Sequence, residues 1–85
     1  MNIMAISTVA DGDLFWGALK KAYARLPKDA KWVLAVASTD GTKAVNVFVH
    51  DSLDAAREFF EGYAGLAATT EYFEADAANA VGLSK

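Results

Sequence analysis

Two alternating stretches, Lys31 to Ser38 and Thr42 to His50, meet at an Asp40-Gly41 pair, and this restricts the fold more than any other feature of the chain. An Asp-Gly pair between such stretches is the strongest short signal for a β-hairpin, because the turn that matches strand twist requires φ > 0. With Asp40 and Gly41 at the tip, Trp32 opposes Val49, Leu34 opposes Val47 and Val36 opposes Val45. All six are large and apolar, so this reading buries them beneath the layer that covers the sheet. The other face then carries Lys31 against His50, Val33 against Phe48, Ala35 against Asn46 and Ala37 against Ala44. That second face is too apolar to stand in water, yet two polar residues interrupt it.

The segments around the hairpin supply the rest of a domain. Ile3 to Val9 is a β-branched apolar run that reads as a first strand. Asp11 or Asp13 can cap the helix that follows, in which Phe15, Leu19, Ala22 and Leu26 recur at helical spacing until Pro27 stops it. Ser52 caps a second helix with a stripe of Leu53, Ala56, Phe60 and Tyr63, ended by Gly62 and Gly65. Thr69 to Ala75, rich in threonine and aromatics, is a fourth strand. The order β-α-β-β-α-β is the ferredoxin-like arrangement: an α+β fold with a four-stranded antiparallel sheet and two helices on one face. Residues 1–75 form this domain. Residues 76–85 are an alanine-rich tail open to three readings: a short helix, an arm or disorder.

Length and composition narrow the function classes. At 85 residues the chain is one domain with a limited core, for which pairing with a second copy is a common remedy. Alanine fills 18 positions, so the 54% hydrophobic content is spread over small side chains. There is no cysteine, which removes disulfides, thiolate metal sites and cysteine nucleophiles, and a cytoplasmic location is the default expectation. The first residues lack the basic flank and length of a signal peptide, and no apolar run approaches a membrane span. A net charge of −3 argues against nucleic acid as a partner. An RNA-binding sheet also needs stacking aromatics on its first and third strands, where only Phe48 is found. The copper-chaperone Cys-x-x-Cys loop is absent, as is the arginine an acylphosphatase needs after its first strand.

The segment Asp51-Ser52-Leu53-Asp54-Ala55-Ala56-Arg57-Glu58-Phe59-Phe60 and the later Glu71-Tyr72-Phe73-Glu74 resemble segments of small bacterial proteins of the dimeric α+β barrel superfamily. At the level of element order the resemblance covers residues 3–75. It implies a sheet-to-sheet homodimer with a cavity beside each helix layer. The superfamily includes cofactor-independent monooxygenases, which often place an asparagine and a tryptophan near an aromatic substrate. Here Asn46 is expected on the open face, Trp32 under the helices and Trp16 at the rim of the first helix, a departure from that pattern.

The site candidates follow from these placements. The dimer contact is expected to use Val33, Ala35, Ala37, Ala44 and Phe48, with Asn46 and His50 lining the space between the sheets. Asn46, His50, Phe48, Trp16, Tyr63 and Tyr72 are the ligand-binding candidates, for a small apolar ligand and with no cofactor. His50 is the only histidine; a strand-end histidine more often packs or bonds locally than binds metal, and no metal site is expected. The favoured function is a non-catalytic homodimeric interaction or ligand-binding module. The alternative is a cofactor-independent monooxygenase-like or isomerase-like enzyme acting on a small aromatic or apolar substrate, with a closed cavity reaching Asn46 or His50.

Overall fold

Local capping chemistry sets the element boundaries. The structure, a computed structural model, describes residues 1–83. Strand β1 (Asn2–Val9) leads into α1 (Gly12–Ala24), whose N-cap Asp11 accepts a hydrogen bond from the Leu14 N–H at 3.0 Å. Strands β2 (Lys31–Ala37) and β3 (Lys43–Val49) form the hairpin, and Ser52 caps α2 (Leu53–Ala64) by accepting from Ala55 N–H at 3.1 Å. At the end of α2, Gly65 is needed by contact, since a Cβ there would lie 2.6 Å from the Glu61 carbonyl oxygen. Strand β4 (Ala68–Glu74) and a 3-10 turn at Ala77–Asn79 complete the described chain. The expected tail is therefore helical for one turn; its last two residues, Ser84 and Lys85, lie outside the described residues.

The sheet runs β2-β3-β1-β4 and every neighbouring pair is antiparallel, so the fold is ferredoxin-like α+β. At the hairpin tip Gly41 takes φ 78°, in the left-handed region that glycine favours. Its N–H donates to the Ser38 carbonyl at 3.0 Å. The Asp40 carboxylate accepts from the Thr42 N–H and from the Thr42 and Ser38 hydroxyls, and these bonds hold its pKa down at about 2. The expected register holds from Leu34↔Val47 through Ala37↔Ala44. A β-bulge between Trp32 and Leu34 then shifts it, so Trp32 opposes Phe48 and Lys31 opposes Val49.

The two faces of the sheet are exchanged relative to the expectation from the hairpin. Ala44 and Phe48, expected on the open face, are core residues, and Asn46 is fully buried with them. The ladder carries the same side inward on β1, where Ile3, Ala5 and Ser7 oppose Phe48, Asn46 and Ala44. Ala35 and Ala37 share this face. Leu34, Val36, Val45, Val47 and Val49 fall on the open side with Met4, Ile6 and Phe73, and none of them is buried.

The physical reason is volume. The helices bring Phe15, Leu19 and Phe60 down onto the sheet, and that bulk fits over alanine and serine rather than over rows of valine. Of the expected set only Trp32 stays inward, carried there by the bulge. The core is thus three phenylalanines, Ile3 and Leu19 among alanines, and Phe48→Ala should cost about 3–5 kcal/mol in urea unfolding. A loss no larger than that of an exposed substitution would place Phe48 on the open face after all.

Candidate functional site

Strand β2 is an edge strand, and α1 does not reach across it. Ala35 and Ala37 point to the helix side yet remain exposed, leaving an open groove of about 400 Å³ between α1 and β2. Its walls are Trp16, Leu19, Lys20 and Tyr23 from the helix and Trp32 from the strand, over Ala35. The Trp32 ring packs 5.2 Å from Phe48 and 6.4 Å from Tyr23, centroid to centroid.

Behind this wall lies Asn46. The Trp32 indole Nε1–H donates to Asn46 Oδ1 at 3.1 Å, which fixes the orientation of the amide, because only oxygen can accept there. The amide nitrogen of this fully buried residue has no hydrogen-bond partner among the described residues. An unmet buried donor costs about 1–3 kcal/mol, so Asn46 is an expensive residue if packing is its only purpose. The structure therefore unites Trp32 and Asn46 on one face, where the sequence reading had separated them.

The remaining candidates are dispersed. Phe48 is core. Trp16 sits at the groove, edge-on to Phe15 at 5.3 Å. His50 ends β3 beyond the sheet; its Nδ1 accepts from the Asp51 N–H at 3.0 Å and its carbonyl accepts from the Met1 amine at 3.0 Å. With Nδ1 accepting, the neutral ring carries its proton on Nε2, which is buried without a partner beside the ring of Phe59. Tyr63 shares a shallow surface depression with His50 and Phe59, away from Asn46. Tyr72 is on β4, where its hydroxyl donates to the Glu61 carboxylate and the Arg57 guanidinium lies 5.5 Å from its ring centre. Burial first, and then Glu61, push its phenol well above the ordinary range. This arrangement ties α2 to β4 rather than forming a cavity.

Val33 is half on each side, at the bulge, and borders the groove. Leu19 and Lys20 were not singled out from the sequence as site residues. The signal was present, since Trp16, Leu19, Lys20 and Tyr23 follow i, i+3, i+4, i+7 spacing along one edge of α1. The groove is open to solvent, and Asn46 is not among the residues that line it. Among the described residues no helix is long and apolar enough to cross a membrane, and no three His, Asp or Glu side chains gather as metal ligands.

The class these features define is a small ferredoxin-like α+β protein with an aromatic groove at its sheet edge. No family, no curated protein and no solved structure matches the chain.

The Asn46 amide allows a direct check on its purpose. Asn46→Leu keeps the branched shape and exchanges one unmet donor, the amide, for another, the Trp32 indole N–H, so it should stay within about 1 kcal/mol of the native chain in urea unfolding, whereas Asn46→Ala, which also leaves a cavity, should lose about 1–3 kcal/mol. Equal, large losses in both variants would show that the amide itself holds the fold.

Proposed function

We propose that the chain is a small cytoplasmic homodimer of the dimeric α+β barrel kind, a non-catalytic module that also holds a small apolar ligand between α1 and β2. One observation carries this reading: among the described residues the open sheet face presents Leu34, Val36, Val45, Val47, Val49, Met4, Ile6 and Phe73 with no helix over them, and only the segment from Asn79 to Leu83 borders Met4, Leu34 and Val47 at one end. Three strands of seven residues and one of eight cover roughly 400 Å² in plan. A face of that size is comparable to the largest apolar patch of a typical soluble monomer, a patch that is often functional.

The aliphatic character of the face favours a second copy as the cover, since it is complementary to itself. Lys31 stands at the β2 margin of this face and Glu71 at the β4 margin. Rotation about an axis along the strands lays β4 of one copy over β2 of the other and valine rows against Met4, Ile6 and Phe73, with Lys31 and Glu71 four residues apart along the strands. The contact residues differ from those expected: Ala44 and Phe48 are spent on the core, and the valine rows replace them. Sedimentation should show a dimer at micromolar concentration, and Val47→Lys should yield a monomer with an unchanged circular dichroism spectrum. A native chain that is monomeric at that concentration removes the reading.

A second reading, a cofactor-independent monooxygenase-like or isomerase-like enzyme, is favoured by the Trp32–Asn46 hydrogen bond in the groove wall. It joins the residue types that the resemblance associates with an aromatic substrate. The enzyme reading expects oxygen uptake or isomerisation with electron-rich hydroxynaphthalenes above the protein-free rate, lost in Asn46→Leu. Rates that equal the protein-free control leave the non-catalytic module alone.

A further inference from the structure

The groove between α1 and β2 differs from the open sheet face in chemistry as well as position. Its lining is richer in aromatic rings than the open face, which has Phe73 alone: Trp16, Tyr23 and Trp32 contribute rings, Leu19, Val33 and Leu34 fill the walls, and Ala35 leaves the floor flat. Its volume, about 400 Å³, lies in the range of small-molecule sites. Trp32 is held in place by the bond to Asn46 and by packing on Phe48 and Phe60, so its ring offers a fixed surface. Tyr23 across from it is 65% exposed, an aromatic ring left largely in water.

One charged side chain lines the groove, and it is basic. Lys20 is exposed, no carboxylate lines the groove beside it, and the one ion pair among the described residues joins Arg57 to Asp54 elsewhere. Arg25 and Lys28 follow after α1 with Asp29 beside them, and Lys21 lies on another side of the helix with Asp13, so Lys20 is the charge that the groove itself presents. Aromatic faces with an unpaired ammonium at the rim match a flat apolar molecule that ends in an anion.

We propose that the groove binds a planar aromatic carboxylic acid, its rings against Trp16, Tyr23 and Trp32 and its carboxylate at the Lys20 ammonium. This rests on the reading that the groove holds a small apolar ligand, and names the class of that ligand. The carboxylate stays at the open rim, where it keeps part of its hydration, and the rings displace water from the aromatic walls. The charge contact supplies preference among ligands, and the ring contacts supply most of the affinity.

The chain has only two tryptophans, and both line the groove, so their two indole N–H signals in a nitrogen-15 spectrum report on it directly. The native chain is titrated with 2-naphthoate, 2-naphthylmethanol and 2-naphthylmethylammonium, which share a ring system and differ in charge. Naphthoate should shift both indole signals and bind about two- to fivefold more tightly than the alcohol, the size expected of one exposed charge pair, with the ammonium weakest. In Lys20→Met, a change at an exposed position, naphthoate should fall to the affinity of the alcohol while the alcohol is unaffected. Equal binding of all three compounds, or a preference that survives Lys20→Met, overturns the acid and leaves an unselective apolar groove. No indole shift with any of them overturns the ligand-binding reading as well.

Discussion

Phe60 lies flat on Phe48, with ring planes 8° apart and centroids 6.1 Å apart, and this contact between α2 and β3 decides which side of the sheet is buried. Side chains alternate along a strand, so once Phe48 points to the helices, Asn46 and Ala44 must follow. The ladder to β1 then takes Ile3, Ala5 and Ser7 inward, and Ser7 is satisfied by the Thr70 hydroxyl at 2.7 Å on β4. Everything between those positions goes outward, including the three valines of β3. The aliphatic open face is thus a direct consequence of an aromatic contact on the other side.

The bulge at Val33 adds the one exception to strict alternation. It turns Trp32 onto the face of Phe48 while Leu34 and Val36 keep the opposite face. The indole then meets Asn46, and the groove acquires its strand-side wall. Without the extra residue, Trp32 would stand among the valines and the groove would hold little beyond Ala35 and the α1 side chains. A local irregularity on an edge strand therefore creates the aromatic site.

Element order, both helix caps, the hairpin and its register near the tip were legible in the sequence because each depends on neighbouring residues. Asp11, Ser52 and the Asp40-Gly41 pair act on backbone groups within a few positions. The choice of face was not legible. Both sets of alternating residues are apolar enough to be buried, and larger side chains seemed the better core. What decides between them is the volume supplied by Phe15, Leu19 and Phe60 from helices far away in sequence. The bulge also left no trace, since Val33 is a good strand residue without the glycine that often marks such a site. As a result, alternation alone places Trp32 and Asn46 on opposite faces.

Strand β2 joins the two surfaces that remain. It is exposed along both faces, with Leu34 and Val36 toward the open side and Ala35 toward the groove. It pairs with β3 alone and has no helix resting on it, so its order depends on one ladder and on Trp32 anchoring its first residues. A cover over Leu34 and Val36 would restrain the same strand that carries the groove wall, and through the bulge it would restrain Trp32. The proposed association at the sheet and the proposed binding at the groove would therefore both act on this one edge strand.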